Sequence, residues 1–476
     1  MAEAHGTHLT KSAYFDCCFA MQWQAVAADA RRDYGGHRSP ESAMPQFLNH
    51  QDADFEARFA ALLGMKREEA ADVDAVVATI IADVRARGDV ALVELTRRFD
   101  RHDGALVFSG DEIDAECAKV SPADRAALEL AAGRIRDYHA RQKPEDASWV
   151  DDAGATLGWR WTAVSAAGLY VPGGLASYPS SVLMNAIPAA VAGVERLVIA
   201  CPTPGGVVNP LVLLAARLAG VDTVYRIGGA QAIAALAYGT QTIAAVDKIT
   251  GPGNAYVAAA KRRVFGRVGI DMIAGPSEIL VIADGDTNPD WIALDLLSQA
   301  EHDESAQAIL ITTDAAFGRA VVAAVDQRLL TLQRRAIAGA SWAQNGAVIV
   351  VDGLERAADL CNRIAPEHLE LCVADPEALL PLIRHAGAIF MGAWTPEAIG
   401  DYVGGPNHVL PTARSARFSS GLSVMDFVKR TTIARMTPQA LAAIGPAAER
   451  LARSEGLEAH GLSVRARLDA LNGGQG

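Results

Sequence analysis

The sequence predicts an α/β protein with two similar Rossmann-like parallel-sheet domains and small helical units at its two ends. Three observations carry this prediction. The first third has a mainly helical pattern, short β-branched strands alternate with Ala-rich helices after Trp161, and helical sequence returns after Val424. Uniformly apolar strands separated by helices are typical of parallel sheets that are covered on both faces.

Two helices in the first third are predicted with defined ends. In residues 72–87 the apolar side chains recur every three or four positions and therefore share one helical face. Gly88 suits the left-handed position that ends such a helix. Ser121 followed by Pro122 predicts an N-cap with proline in the first turn, and this second helix should run to about Gln142.

The alternating region is predicted to form two parallel sheets. Its clearest strands are residues 196–200, 223–227, 279–283, 308–312 and 347–351. They fall into two sets, roughly 169–277 and 278–421. Neither set contains a G-x-G-x-x-G run that opens a helix, so both domains are expected to be Rossmann-like without the usual dinucleotide fingerprint.

We expect five segments along the chain. Residues 1–43 lack a sustained apolar period and are expected to be a disordered extension. The other expected segments are a small N-terminal helical unit at 44–66, a first α/β domain from 67–168 together with 278–421, a second α/β domain at 169–277, and a C-terminal helical unit at 422–476.

Composition excludes several classes of protein. A formal charge of −13 without a cluster of Lys and Arg argues against binding to nucleic acid. The longest apolar stretches have only strand length, so no membrane span is expected. Six cysteines without a C-x-x-C pair, and a start unlike a secretory signal, indicate free thiols in a reducing cytoplasm. Chemistry on a small molecule is the remaining expectation.

Glycine-containing loops indicate a candidate binding cleft. Ligands of doubly wound sheets bind beyond the carboxyl ends of the strands. The chain has unusual loops at residues 170–174, 228–231, 251–254 and 274–277, each with a polar side chain that could contact a ligand. Any one of them could equally be a tight connection between packed elements, whereas their succession favours a cleft.

A metal site is suggested by a helix that begins at Asn288. Gln299 and His302 lie three residues apart near its end and share a face, so an amide oxygen and an imidazole could enter one coordination sphere. Asp401 and His460 are further candidates, and mixed nitrogen and oxygen ligands favour zinc. Sequence spacing does not show that these four residues meet at one site, and each could instead cap a helix or form a turn.

The dipeptide Glu367-His368 is the best candidate for proton transfer. A histidine can exchange protons near neutral pH, and a partly buried glutamate beside it can activate water. The same dipeptide is common as a solvated surface pair. His408, in a turn flanked by prolines, could bind a ligand or have a structural role.

Several long runs resemble those of the histidinol dehydrogenase family, in the same order and over most of the chain from residue 44 to 471. They are Ser-Gln-Ala-Glu-His at 298–302, Pro-Glu-His-Leu-Glu at 366–370 and Pro-Asn-His-Val-Leu-Pro-Thr at 406–412, joined by 251–256, 274–278 and 420–427. The resemblance implies zinc-dependent oxidation of L-histidinol to L-histidine through L-histidinaldehyde, with two NAD molecules. This is the last step of histidine biosynthesis.

The resemblance also implies roles for individual residues. The zinc ligands match Gln299, His302, Asp401 and His460, and the catalytic pair matches Glu367 and His368. The substrate contacts match Ser277 and Glu455, together with His368 and the zinc ligands. The NAD contacts match Tyr170, Gln231 and Asn254, which puts NAD on the side of residues 169–277. Family members are homodimers with shared active sites, which implies that Glu455 and His460 complete the neighbour's site.

Three other functions remain open to the sequence. A relative of the family could oxidise a different primary alcohol with the same residues. A zinc hydrolase could use Gln299, His302, Asp401 and Glu367 without nicotinamide. The third possibility is a degenerate metal-binding or regulatory protein. The intact pair Glu367 and His368 argues against it.

Overall fold

The structure, a computed structural model, describes residues 44–65, 71–173, 178–273 and 275–473. The extension expected at 1–43 lies outside the described residues. The strands are, in chain order, β1 (Gln46–Asn49), β2 (Ala147–Val150), β3 (Thr156–Ala163), β4 (Ala166–Tyr170), β5 (Arg196–Ala200), β6 (Thr223–Tyr225), β7 (Lys248–Thr250), β8 (Gly269–Ile270), β9 (Glu278–Ala283), β10 (Gln307–Thr312), β11 (Ala347–Val350), β12 (His368–Cys372), β13 (Ala388–Met391) and β14 (Val428–Arg435).

Helices connect and cover these strands. They are α1 (Phe55–Gly64), α2 (Ala71–Arg87), α3 (Asp89–Asp100), α4 (Gly110–Cys117), α5 (Pro122–Ala140), α6 (Pro179–Ala192), α7 (Pro210–Ala219), α8 (Gly229–Tyr238), α9 (Ala255–Val264), α10 (Pro289–Ala300), α11 (Ala315–Leu329), α12 (Arg335–Asn345), α13 (Leu354–Ile364), α14 (Pro376–Leu379), α15 (Glu397–Tyr402), α16 (Pro438–Ser454) and α17 (Glu458–Gly473).

Two parallel sheets confirm the predicted α/β class. One has six strands in the order β1-β11-β10-β9-β12-β13, and the other has five in the order β6-β5-β4-β7-β8. In the five-stranded sheet the chain adds β5 and β6 on one side of β4 and then β7 on its other side. In the six-stranded sheet, apart from the edge strand β1, it adds β10 and β11 on one side of β9 and then β12 on its other side. This reversal lies between β4 and β7 in the smaller sheet and between β9 and β12 in the larger one.

Helices cover both faces of each parallel sheet because successive strand residues point to opposite sides. In β4, Ala167 and Leu169 belong to the core that contains α6 and α7, whereas Ala166 and Tyr170 belong to the core that contains α8. The six-stranded sheet has the same two-sided arrangement. The β-branched runs that predicted the strands are therefore buried on both faces.

The two predicted helices are confirmed with small shifts at their ends. The helix expected at 72–87 is α2, and Gly88 after it has a φ of 57°, in the left-handed range. The helix expected after Ser121 is α5, and the Ser121 side chain accepts a hydrogen bond from the backbone N–H of Asp124 at 3.1 Å. The five predicted strands correspond to β5, β6, β9, β10 and β11.

The early helices pack on a different sheet from the one expected. Val77 of α2 and Leu92 of α3 share a core with the five-stranded sheet, and so does Ile135 of α5 on its other face. From the sequence we expect residues 67–168 to form one domain with residues 278–421, whereas these helices pack on the sheet formed by residues 166–270. Hydrophobic periodicity identifies the face that a helix buries, but not the sheet that covers it.

The ends of the described chain contain strands that the sequence did not predict. β1 adds to the outer edge of the six-stranded sheet beside β11, within the expected helical unit at 44–66. β14 pairs antiparallel with β3, and β2 completes that small sheet. Seven of the eight residues of β14 are exposed, so the strand has no apolar run by which to recognise it. α16 and α17 then pack together, with Leu468 and Val464 close to Gly445.

Two expectations from composition bear on the described residues. None of their helices is long and apolar enough to cross a membrane. The four cysteines in this part of the chain are free and buried, in agreement with the expectation of unpaired thiols for those positions.

Candidate active site

A cavity of about 330 Å³ is lined by residues from both parallel sheets. The five-stranded sheet contributes loops at the carboxyl ends of β4 and β7, including Pro172 and residues 251–254, where its strand order reverses. The six-stranded sheet instead presents the amino ends of β9 and β12, through Ser277 and Glu367. The expectation that the cleft lies beyond carboxyl ends is therefore confirmed for one sheet and wrong for the other.

His368, the first residue of β12, is held as a neutral base. Its Nδ1 lies 3.0 Å from the carbonyl oxygen of Glu278, which can only accept, and 3.2 Å from the amide Nε2 of Gln299, which can only donate. We assign the proton to Nδ1 because the carbonyl oxygen is the nearer of the two partners. Burial lowers the pKa of His368 and favours the uncharged ring. Nε2 has no hydrogen-bond partner among the described residues; the nearest carboxylate oxygens, of Glu397 and Asp401, lie at 3.7 Å and 3.9 Å.

Glu367 is a buried carboxyl group beside that base. Its Oε2 accepts the backbone N–H of Glu278 at 2.9 Å, and its side chain lies 3.7 Å from Nδ1 of His368. Burial raises the pKa of Glu367 well above its ordinary value, helped by the negative charges of Glu278, Asp401 and Glu397. The backbone N–H and carbonyl oxygen of Glu278 thus fix both members of the pair. In its ionised form, Glu367 would bind a proton strongly.

Gln299 faces the same cavity from the last turn of α10. Asn288 begins this helix by accepting the N–H of Asp290 at 3.0 Å, and the helix ends at Ala300, which leaves His302 in the turn that follows. The amide Nε2 of Gln299 donates to Oε1 of Glu397 at 2.5 Å. Its Oε1 is buried and has no hydrogen-bond partner among the described residues. A buried acceptor without a donor is a position where a cation or a ligand would fit.

Glu397 orients that amide from a second side of the cavity. It begins α15 and is only 2 % exposed. Its Oε2 accepts the hydroxyl of Ser298 at 2.9 Å, while its backbone N–H donates to Oε1 of Glu370 at 2.7 Å. Both of its carboxyl oxygens are therefore in use, and the amide oxygen of Gln299 is turned away from it.

Asp401 lies one turn further along α15, not in a loop as the sequence suggested. Burial, together with the charge of Glu397, raises its pKa to about 6. His408 is bonded to this segment, because its Nδ1 donates to the carbonyl oxygen of Asp401 at 3.0 Å. The Nε2 of His408 lies 3.2 Å from the Ser181 hydroxyl, which can donate to it. His408 is therefore tied to a carbonyl and a hydroxyl at the cavity wall.

The cavity residues fit a divalent metal in two alternative sets. Gln299, His302 and Asp401 all line it, and the unpartnered Oε1 of Gln299 is an oxygen ligand of the kind that zinc accepts. One ligand atom each from His368, Glu397 and Asp401 also lie within 4.8 Å of one another. We favour the first set because both Glu397 oxygens already accept hydrogen bonds, which suits an outer residue that orients a ligand.

The residues expected to contact NAD are divided between the cavity and the protein interior. Asn254 lines the cavity and caps α9 by accepting the N–H groups of Tyr256 and Val257 at 3.1 Å and 3.2 Å. Tyr170 is buried, and its hydroxyl accepts the N–H of Gly229 at 3.1 Å. Gln231, also buried, lies beside the same glycine.

Glu455 and His460 do not line the cavity of the same chain. Glu455 follows the last turn of α16 and His460 lies in the first turn of α17, and both are exposed. The helical pair that carries them also exposes large apolar side chains; Leu451 is 63 % exposed and Leu462 is 54 % exposed. One chain therefore brings Ser277, Gln299, His302, Glu367, His368 and Asp401 to one cavity and leaves these two residues apart.

Comparisons with known proteins identify the family of this chain. A model of the family described as histidinol dehydrogenase matches residues 64–468. The chain is 79 % identical over 434 residues to the histidinol dehydrogenase of Cereibacter sphaeroides, covering 90 % of this chain and 100 % of the relative. It is 77 % identical over 433 residues to that of Ruegeria pomeroyi, with 90 % and 100 % coverage. The crystal structure of histidinol dehydrogenase from Elizabethkingia anophelis superposes with a TM-score of 0.87 at 37 % identity, covering 92 % of this chain and 100 % of that one.

Proposed function

Because the chain belongs to the histidinol dehydrogenase family, we propose that it oxidises L-histidinol to L-histidine through L-histidinaldehyde, with zinc and two NAD molecules. The observation that supports this most is the pair Glu367 and His368, both bonded to Glu278, beside the unpartnered amide oxygen of Gln299. An alcohol-to-acid oxidation needs one base for hydroxyl protons and one for water. We assign the reaction to the end of histidine biosynthesis in the cytoplasm.

In the first oxidation His368 is the base. Its Nε2 removes the proton of the substrate hydroxyl, while Nδ1–H stays bonded to the carbonyl oxygen of Glu278 and fixes the ring. The pKa of His368 is lowered by burial, so the ring is uncharged and ready at neutral pH. NAD, when bound, supplies the acceptor for the hydride that leaves the carbinol carbon.

In the second oxidation Glu367 activates water. The carboxylate takes a proton from a water molecule whose oxygen adds to the aldehyde carbon, while His368 returns to the carbonyl oxygen the proton that it took from the alcohol, which gives the hydrate and restores the neutral ring. Burial raises the pKa of Glu367, so its ionised form binds a proton more strongly than an exposed glutamate does, and the N–H of Glu278 holds it in place. His368 then removes a hydroxyl proton from the hydrate, as it did from the alcohol, and a second NAD, when bound, would supply the acceptor for the hydride that leaves the same carbon. The cavity between the two sheets keeps the reactive aldehyde bound between the steps.

The residues that would hold zinc are Gln299, His302 and Asp401, with His460 of the partner subunit as the fourth. Zinc at this position would bind the imidazole and amino groups of the substrate and so orient the carbinol carbon. Glu397 supports this arrangement because it takes the amide N–H of Gln299 and leaves the amide oxygen for the metal. Ser277 and Glu455 are proposed as further contacts of the substrate.

A homodimer with shared sites is part of the proposal. His460 and Glu455 are exposed and separate from the cavity of their own chain, so a second copy would have to supply them. The apolar side chains exposed near them, including Leu451 and Leu462, support association of this unit with another protein surface. Tyr170, Gln231 and Asn254 are proposed for the NAD side.

An assay of products and metal tests the proposed function. Purified protein should contain zinc and should form two NADH for each L-histidinol consumed, with L-histidine as the only final product. Other primary alcohols should react far more slowly. Formation of a single NADH per alcohol would contradict a two-step oxidation, and zinc-dependent ester or amide hydrolysis without NADH would favour the hydrolase instead.

Replacing Glu367 with glutamine should separate the two oxidations. We expect Glu367→Gln to form the first NADH at a rate near that of the wild type, because His368 is untouched. Formation of histidine should fall by about 10²-fold or more, since only that stage needs an activated water. Rapid-quench measurement of the first NADH and of histidine distinguishes the two rates.

Glu370→Gln is the matched control for this variant. Glu370 is also buried and lies on β12, the strand that Glu367 directly precedes, but it does not line the cavity. It should retain both half-reactions, because its amide oxygen can still accept the Glu397 N–H. An equal loss of both half-reactions in Glu367→Gln would contradict the proposed division of labour.

A further inference from the structure

A buried ion pair lies beneath the glycine loop that follows β7. Lys261, in the second turn of α9, pairs with Asp271, which directly follows β8. Their side chains are only 3 % and 1 % exposed, and both residues line the cavity. Burying two charges lowers stability unless further hydrogen bonds satisfy them, and a well-packed apolar pair often stabilises a fold as well or better. The position therefore suggests a task beyond stability.

Both charged groups bind the same backbone residue, Gly251. The Nζ of Lys261 donates to the carbonyl oxygen of Gly251 at 2.9 Å, and the N–H of Gly251 donates to Oδ2 of Asp271 at 2.8 Å. Gly251 has a φ of 113°, and a Cβ at this position would lie 2.0 Å from the carbonyl oxygen of Tyr170. Only glycine fits here, and the ion pair supplies the restraint that glycine itself lacks.

The loop at 251–254 is anchored at its two ends. At one end Gly251 is fixed by the ion pair, and at the other Asn254 caps α9 through Tyr256 and Val257. Only Pro252 and Gly253 lie between these anchors, and both line the cavity. With only two residues between the anchors, the course of the loop that faces the cavity depends on where Gly251 is held as well as on the cap at Asn254.

We propose that Lys261 and Asp271 are positioning residues for NAD, which fix the loop at 251–254 so that it can receive the cofactor. The inference rests on the proposed function, in which Asn254 contacts NAD. Neither residue has to touch the cofactor, because their hydrogen bonds act through the peptide groups of Gly251. The residues proposed for zinc lie on α10, in the turn that follows it and on α15, not on this loop, so zinc binding should be insensitive to Lys261 and Asp271.

A neutral double variant tests the proposal without leaving a single buried charge. Lys261→Met with Asp271→Asn removes both charges, keeps an acceptor for the N–H of Gly251 and loses the donor to its carbonyl oxygen. The control is Arg263→Met with Asp74→Asn. It removes an ion pair between Arg263 on α9 and Asp74 on α2, which does not contact the loop at 251–254. Asp271→Asn alone is the milder variant should the double one fold poorly.

Two measurements are made on zinc-loaded protein in the absence of histidinol. Hydrogen exchange of the peptide that contains Gly251 should be faster in the double variant than in the wild type or the control. The Kd for NAD, from calorimetry, should rise about tenfold or more, whereas zinc content should not change. Asp271→Asn should change both quantities in the same direction by less.

The outcomes distinguish the inference from the function on which it rests. A folded double variant that binds NAD as tightly as the wild type would overturn the positioning role. Loss of zinc and NAD together, or an equal loss in the Arg263 and Asp74 control, would also overturn it, because either result indicates a general structural effect. Failure of the wild type itself to bind NAD would instead overturn the proposed function.

Discussion

His302→Ala should lose zinc and activity together while keeping its fold. His302 is in the turn after α10, lines the cavity and is exposed, so its removal leaves no void in the hydrophobic core. Loss of one ligand should weaken zinc binding by more than about 10²-fold, and activity should fall at least as far. Zinc content by mass spectrometry and NADH formation are measured on the same preparation.

The stability of the variant is compared without metal, because bound zinc would stabilise the wild type by mass action. The melting temperature of apo His302→Ala should lie within about 2 °C of apo wild type. His102→Ala is the control, since this half-buried histidine contacts the carbonyl oxygen of Ala105 and does not line the cavity. Full zinc content in His302→Ala would remove the residue from the metal site.

Local sequence patterns predicted the elements of this fold well. The cap at Ser121, the apolar period of residues 72–87 and the left-handed Gly88 each depend on neighbours within a few positions, and each is confirmed. The exposed strand β14 was missed because its neighbour β3 lies more than 260 residues earlier in the chain and its own residues face solvent. Pairing of that kind leaves no periodic apolar signal in the strand.

The site was predictable only in part for the same reason. Gln299 and His302 are close in sequence, so helical geometry alone could suggest that they act together. Glu367 reaches the cavity through the register of β12, which it precedes, and Asp401 through the second turn of α15; sequence spacing reveals neither. Their assignment before the structure depended on the resemblance to a family.

Glu397 shows what neither spacing nor the resemblance indicated. It follows a proline at the start of a short helix. An acidic residue at this position is normally exposed to solvent and interacts favourably with the helix dipole. Here it is buried and orients the amide of Gln299. A polar residue at the start of a helix indicates a role in the site only when its burial is known.

The location of His460 leads to the second prediction with a large effect, which concerns mixed dimers. His460→Ala and His368→Ala should each be inactive alone, because one lacks a proposed zinc ligand and the other the proposed base. When the two are unfolded and refolded together, a mixed dimer contains one site with both defects and one site with neither. Random pairing makes about half of the dimers mixed, so activity should recover to about a quarter of wild type.

A matched pair shows whether recovery comes from sharing across the dimer. His302→Ala and His368→Ala both lie in the cavity of one chain, so every site in their mixed dimer keeps one defect and activity should stay absent. Mass spectrometry confirms that mixed dimers form in both experiments. If the mixture of His460→Ala and His368→Ala is as inactive as its parents despite confirmed exchange, His460 does not act across the dimer. Its exposed place on α17 would then require a role outside the active site.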